Sequence, residues 1–375
     1  MKKIACVIMH APLGESLGER IVEEGREAST DDLVTTLKKA GMERTFLLTR
    51  SAALAERFSK RGVATILTEN EAPFHFGKTL QRVIAEEALD GLLYFGSGAG
   101  GLLTVEQIAR LVSFASRVEQ GALFNNFYSC DFCAIAGAER LLSIDLPEID
   151  NALGFSLADH GIPSFSLPRT VETQFDIDTP TDLVLLAAAE RGGDAMRAFL
   201  AAQSLNHSML EDLLTVLTDR SAHLTLIGRM NPTTWAHFEG EIACRTSAYS
   251  EGRGMRAYRD GKGPLLASTL KEMGIDSFFE RLERSTDAAI IDTRPLLTAT
   301  EPLPSPNDRF ASDLLRPELV EDPLWKAFTQ AAIDSQIPIL LGGHSLVSGG
   351  LYLLAEACWK DRELRRRLHP DTIEF

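Results

Sequence analysis

The chain has 375 residues, 45% of them hydrophobic and 24% charged, and its 38 basic against 53 acidic residues give a formal net charge of −15. That is an ordinary globular composition in a chain longer than one core usually supports, so two domains are expected. The acidic balance argues against a general nucleic-acid or membrane surface, no stretch approaches the roughly 20 apolar residues of a membrane span, and five cysteines do not make a disulfide framework. A reducing cytoplasm is the expected setting.

Met1-Lys2-Lys3 and the apolar run Ile4 to Met9 superficially suggest a signal peptide. The run is short, lacks a convincing cleavage site and leads into Gly- and Glu-rich sequence, so a first buried strand is expected instead. Helices are expected at 31–40, 52–61 and 80–89, and strands at 45–48, 64–67 and 91–95. The last strand runs into Gly96-Ser97-Gly98-Ala99-Gly100-Gly101. This alternation predicts a doubly wound, mostly parallel α/β sheet, in which ligands bind beyond the carboxyl ends of the strands. His10, Ser97, Gly98 and Gly100 are therefore candidate ligand-binding residues.

Phe74-His75-Phe76-Gly77 precedes a helix, and Asn125-Asn126-Phe127-Tyr128-Ser129-Cys130-Asp131 joins two strand-like runs. Either suits a pocket wall, with Asn126 a candidate contact, and either equally suits turn chemistry. Cys130 and Cys133 form a CxxC pair. With no second pair or histidine partner to complete four ligands, two small buried thiols are expected rather than zinc.

Gln174-Phe175-Asp176-Ile177-Asp178-Thr179-Pro180-Thr181-Asp182 closes the first half. Asp176 and Asp178 are one residue apart in an extended segment and so share a face. Thr179-Pro180 reads as an N-cap followed by proline at the first helical position, with the apolar run 183–189 as the helix. Carboxylates at a strand-to-helix junction suit a hard divalent cation such as Mg²⁺ holding phosphate, and a capped helix with solvated acids is the plainer alternative.

The string FDIDTPTDL resembles the closing motif of nucleotidyltransferases with the nucleotide-diphospho-sugar transferase fold, a group that includes phospholactate guanylyltransferase and the molybdenum-cofactor nucleotidyltransferases. The resemblance covers about the first 190 residues, the size of one domain, and is specific at this motif. It implies a nucleotidyltransferase-like first domain that binds a nucleotide and a phosphorylated or carboxylated small molecule, with Mg²⁺ held weakly by Asp176 and Asp178. Two stretches depart from the family. Gly98-Ala99-Gly100-Gly101-Leu102-Leu103 stands where the family usually has Gly-Asp-x-Pro-Leu-Leu, whose aspartate is a principal metal ligand. His10-Ala11-Pro12-Leu13-Gly14-Glu15 stands in place of its Gly-rich phosphate loop with Arg and Lys. A site without either has lost much of its means of stabilising a transferring phosphoryl group. Nucleotidyl transfer and a non-catalytic ligand-binding or assembly module both stay open, and no catalytic residue is assigned.

The domain boundary is placed after residue 204, giving domains 1–204 and 205–375, the second an α/β domain without an assigned family. Strands are expected at 223–228, 287–292 and 337–343, running into Arg229-Met230-Asn231, Asp292-Thr293-Arg294 and His344-Ser345. If these strands are parallel neighbours, Arg229, Asn231, Asp292, Arg294, His344 and Ser345 meet in one crevice suited to a small anion, with Arg245, Arg253 and Arg256 as possible additions. Gly343-His344-Ser345-Leu346-Val347 also resembles the GxSxG nucleophile elbow. Its last glycine is Val347, and only His369 and a few acids follow, so a serine hydrolase using Ser345 is the lesser reading beside an anion-binding turn. The tail KDRELRRR reads as a solvated helix end rather than a nucleic-acid patch.

Overall fold

β1 (Ile4–His10) shows why the first half folds as a layered sheet. Its residues alternate between two buried faces, Ala5 and Val7 joining one apolar cluster and Cys6 and Ile8 another. A strand covered on both faces reads as a continuous apolar run, as this one does.

The computed structural model describes residues 2–68, 74–251, 264–300, 302–359 and 362–368. The chain divides into two compact units, one of residues 1–13, 26–176 and 192–196, the other of residues 14–25, 177–191 and 197–375. The sequence reading puts a single boundary after residue 204; compact packing instead assigns 14–25 and 177–191 to the second unit. Among the described residues no helix is long and apolar enough to cross a membrane.

In chain order β1 is followed by α1 (Leu17–Lys39), β2 (Thr45–Thr49), α2 (Ala52–Ser59), β3 (Ala64–Leu67), α3 (Phe76–Glu87), β4 (Gly91–Gly96), α4 (Val105–Arg117), β5 (Gly121–Phe124), β6 (Phe132–Ala136), α5 (Leu153–Asp159), β7 (Ser164–Ser166) and α6 (Val171–Gln174). The seven strands lie in the order β3-β2-β1-β4-β6-β5-β7. All pairings are parallel except those of β6, which runs against β4 and β5. Leu33 and Leu37 of α1, Phe58 of α2 and Leu111 of α4 cover one face, and Leu80 and Val83 of α3 cover the other. This is the doubly wound, mostly parallel sheet the sequence leads one to expect.

α1 begins about fourteen residues earlier than its apolar pattern suggests. The added stretch, LGERIVEEGREAST, contains two glycines, which disfavour a helix by about 1 kcal/mol each relative to alanine. Gly25 is needed there because a Cβ would lie 2.6 Å from Leu183 Cδ2.

The second unit contains α7 (Pro180–Ala188), α8 (Asp194–Ala202, residues 194–196 counting with the first unit), α9 (Ser208–Leu217), β8 (His223–Gly228), α10 (Pro232–Glu241), β9 (Arg245–Ser250), α11 (Leu265–Met273), α12 (Ile275–Ser285), β10 (Ala288–Asp292), α13 (Pro306–Asp313), α14 (Pro323–Asp334), β11 (Ile339–Gly342), α15 (Gly349–Ala357) and α16 (Arg362–Leu368). Its four strands are all parallel, in the order β11-β10-β8-β9. Ile227, Ile291 and Leu341 pack with Leu270, Phe279, Trp325 and Phe328 on one face. Thr179 and Pro180 begin α7 as expected, the N–H of Thr179 donating to Asp182 Oδ2 at 2.7 Å. The preceding residues 175–178 form no strand, so the carboxylates sit between two helices rather than at a strand end.

Candidate functional site

At the carboxyl ends of the first unit's parallel strands lies a cleft of about 420 Å³, within the size range of small-molecule sites. β1 contributes His10, β4 contributes Tyr94 and the following turn Gly96-Ser97-Gly98, and Arg50 enters just beyond β2. Arg26 of α1, together with Phe74 and Phe76 at the start of α3, also lines it. Because β6 runs against β4, its amino end comes to the same edge of the sheet, and Asp131 joins Glu148, Asp150 and Asp176 in the wall.

His10 is 3% exposed, and neither ring nitrogen has a hydrogen-bond partner among the described residues. Burial first, then the charge of Arg26, lowers its pKa to about 4, so the ring is neutral at pH 7. Tyr94 donates its hydroxyl hydrogen to Asp150 Oδ2 at 2.6 Å, and burial followed by that carboxylate's charge holds the phenol well above its usual pKa. Asn125 Nδ2 donates to Asp131 Oδ2 at 2.7 Å, while Asn125 Oδ1 accepts from the N–H groups of Asp131 and Phe132. Two of the acids in the wall, Asp150 and Asp131, thus accept from neutral side-chain donors.

Of the residues the sequence singles out in this unit, His10, Ser97, Gly98 and Asp176 line the cleft, and Gly100 and Asn126 do not. Gly100 has φ +79°, and a Cβ there would lie 2.7 Å from the Phe95 ring, so its role is in packing. Asn126 Oδ1 accepts from the Tyr128 N–H at 3.3 Å, which is turn chemistry. Ala99, where the resembled family carries its aspartate, is 2% exposed and belongs to the apolar cluster beneath α1. His75 caps α3, its Nδ1 accepting from Lys78 N–H. Cys130 and Cys133 are buried free thiols of the core, and burial raises the Cys130 pKa. The sequence reading passes over Arg26, Arg50, Tyr94 and Asp150. Arg50 lies two residues beyond a predicted strand, where the strand-end rule could have found it; Arg26 sits in the unread part of α1, and no local signal marks Asp150.

The two acids of the expected Asp176/Asp178 metal pair have different surroundings in the structure. Asp176 lines the cleft, whereas Asp178 acts on Asp182, Arg294 and His344, all of the second unit. Without a strand at 175–178, the alternation argument that put both side chains on one face does not apply. Among the described residues no group of three or more His, Cys, Asp or Glu is placed to hold a metal ion.

In the second unit β8, β10 and β11 are parallel neighbours, and their carboxyl ends bring Arg229, Asp292, Arg294 and His344 together. The arginine expected to grip an anion is already engaged. Arg294 Nε donates to Asp292 Oδ1 and Nη2 to Oδ2, both at 2.8 Å, and the Arg229 N–H adds a third contact at 3.0 Å. Asp292 is fully buried; burial pushes its pKa up, and Arg294's charge and hydrogen bonds more than offset this, holding it at about 2. Arg294→Ala would leave a buried carboxylate uncompensated.

Beside the pair, burial and then Arg294 lower His344 to about 4. Burial raises Asp313 to about 7, and burial with the Asp178 charge raises Asp182 to about 8. Asn231 caps α10, its Oδ1 accepting from Thr233 N–H at 2.9 Å. Ser345 is 2% exposed and begins a 3₁₀ turn, whereas a nucleophile elbow presents its serine hydroxyl at the top of a strand-to-helix turn. Arg245 begins β9 and donates to Ser221 O at the opposite end of the strands from this cluster. Arg253, Arg256 and His369 lie outside the described residues.

No family model matches the chain, and no curated protein matches it in sequence. Solved structures similar to it include a Desulfovibrio desulfuricans protein described as a nucleotide-diphospho-sugar transferase, at 12% identity over 54% of this chain and 95% of that one, with a TM-score of 0.41. A Methanothermobacter nucleotidyl transferase is 17% identical over 54% of this chain and 99% of its own, with a TM-score of 0.38. A cytidylyltransferase from Leptospira borgpetersenii is 12% identical over 55% and 100%, with a TM-score of 0.39. At this level of similarity no residue role passes from those proteins to this chain.

Proposed function

We propose that the first unit binds a nucleotide in the cleft beyond β1, β2 and β4, as a nucleotidyltransferase-like module. The observation that carries this reading is His10, a buried imidazole with two unpartnered nitrogens in the wall of a cleft. Withholding such a group from water without a partner costs free energy, and a ligand that hydrogen-bonds to it recovers that cost. At neutral pH the ring is uncharged, so it offers one N–H donor and one acceptor. Arg26 and Arg50 supply positive charge for phosphates, Phe74, 45% exposed, offers a face for a base, and the Ser97-Gly98 turn lets backbone approach the ligand.

Binding has stronger support than transfer. With Ala99 in the core, the position that carries the metal aspartate in the resembled family supplies no charge here, and no proton-transfer role falls to a neutral His10 by geometry alone. Magnesium arriving with a nucleotide would meet Asp176 from the closing motif but not Asp178, so the bare ion is expected to bind weakly. Thermal-shift and calorimetric titration with ATP, GTP, CTP and UTP, with and without Mg²⁺, test the reading. A nucleotide at 100 times its Kd adds about 2.7 kcal/mol of apparent stability, and His10→Ala should weaken it about tenfold, the loss of one good hydrogen bond. If none of the four stabilises the protein, the reading fails.

A further inference from the structure

His10, buried and with both ring nitrogens unpartnered among the described residues, marks one side of the cleft. Strand alternation tells which side. Cys6 and Ile8 pack in the cluster under α1, α2 and α4, and His10 continues that face, whereas Met9, Leu48, Phe76 and Tyr94 pack in the cluster under α3. The cleft therefore straddles the edge of the sheet, apolar and aromatic toward α3 and polar toward α1. The charges of Arg26 on α1 and Arg57 on α2, both acting on His10, agree with that placement. Arg57 is engaged with Glu27 and Asp31, while Arg26 lines the cleft. Met9 pairs with Gly96 across β1 and β4, so His10 stands one strand spacing, about 4.8 Å, from Ser97. The N–H of Ala99 donates to Gly96 O at 3.2 Å and closes a turn, a bond in which the N–H groups of the two central residues, Ser97 and Gly98, take no part. α1 is tied to the same turn, because Thr30 Oγ1 lies 2.8 Å from Arg26 O and 3.4 Å from Ser97 O.

We propose that the α1 side of the cleft is a seat for a terminal phosphate, whose three unesterified oxygens accept from His10, the Ser97-Gly98 turn and Arg26, while the organic part of the ligand crosses the sheet edge to Met9, Leu48 and Phe76. This rests on the ligand-binding reading above and names the group in which the ligand ends. Donors reach the cleft from three segments, an imidazole from β1, a hydroxyl and turn N–H groups after β4, and a guanidinium from α1. A terminal phosphate presents oxygens in three directions, and a diester in two. Phe95 and Ala99 are buried behind the turn, so this side is closed and takes the end of a ligand rather than its middle. The uncharged ring donates from one nitrogen to phosphate and leaves the other to accept from a ligand hydroxyl. Nucleotides and sugar phosphates both carry that pair of groups, and the seat's chemistry is common to them.

The test is calorimetric titration of the full chain in EDTA with the four nucleoside monophosphates, the four triphosphates and glucose 1-phosphate, each against the methyl ester of its last phosphate. At least one of these ligands should bind about tenfold or more tightly than its ester, the scale of a hydrogen bond to a charged group. His10→Phe should bring that ratio to within twofold, and His10→Gln, which keeps an N–H donor, should retain most of it. Equal binding of every ligand and its ester, or a ratio that His10→Phe leaves intact, overturns the proposal, and the wild-type comparison decides even where His10→Phe does not fold. If nucleotides and their esters bind equally well, the nucleotide reading stands without the seat. If glucose 1-phosphate alone shows the preference, the seat stands and the nucleotide reading falls; if nothing binds, both fall.

Discussion

Removing the guanidinium of Arg294 should destabilise the second unit strongly at neutral pH and weakly at acid pH. In the wild type Asp292 titrates at about 2 against 3.8 for an unstrained aspartate, and a shift of nearly two units corresponds to roughly 2 kcal/mol. Its sign is that of a depressed carboxylate: the contribution is complete above pH 3.8 and lost as pH falls toward 2. Arg294→Met removes the opposing charge and both side-chain donors, leaving a fully buried carboxylate with only backbone donors. Breaking a buried pair in this way costs about 3 to 5 kcal/mol. Trp235, Trp325 and Trp359, the sequence's three tryptophans, all lie in the second unit, so their fluorescence in urea follows that unit. At a slope of about 2 kcal/mol/M the midpoint should drop by 1.5 M or more at pH 7. At pH 3 the difference should shrink, because Asp292 protonates in the variant and its penalty disappears. Adding Asp292→Asn should recover part of the loss at pH 7. A midpoint unchanged at pH 7, or an equal deficit at both pH values, would refute the reasoning.

Asp182 and Asp313 carry the opposite sign, their pKa values raised to about 8 and about 7 against 3.8 when unfolded. The second unit should therefore lose stability as pH rises from about 4 to 8 and level off above, and Asp182→Asn should flatten that slope in tryptophan-monitored urea titrations at stepped pH. Gly100→Ala, which forces a side chain at φ +79° and places Cβ 2.7 Å from the Phe95 ring, should cost about 1 to 3 kcal/mol by calorimetry while leaving the tryptophan transition in place. Asp176→Asn should alter nucleotide affinity severalfold or more in calorimetric titrations, and Asp178→Asn should leave it within twofold, since only Asp176 lines the cleft.

What the sequence makes legible follows burial. β1, β2 and β10 are covered on both faces, so their apolar runs stand out whatever the direction of pairing. β9, Arg245-Thr246-Ser247-Ala248-Tyr249-Ser250, is an edge strand with partly exposed residues throughout; its polar composition reads as loop, and the register with β8 comes from the sheet rather than from its own side chains. The reversal of β6 has no compositional mark either, yet it delivers Asp131 to the cleft. His10 is legible because a strand-end rule places it. Arg26 is not, because the helix that carries it contains Gly18 and Gly25, whose necessity is visible only against Phe310 and Leu183.

The closing motif illustrates how residues that resemble a reactive site can be required by packing. Thr181 Oγ1 donates to Leu341 O at 2.7 Å, a bond from the first turn of α7 to β11. The Thr179 methyl lies so near Gly343 that a Cβ on the glycine would approach it to 2.6 Å. Asp182 Oδ2 accepts from the N–H groups of Asp178 and Thr179, closing the start of the helix. Four of the motif's residues, Thr179 to Asp182, thus have structural work in the second unit that would select Thr-Pro-Thr-Asp without any metal, while of the motif Asp176 lines the cleft. The resemblance in sequence and the chemistry of the cleft therefore meet at one residue, and exchanging Asp176 tests function where exchanging Thr181 or Asp182 tests folding.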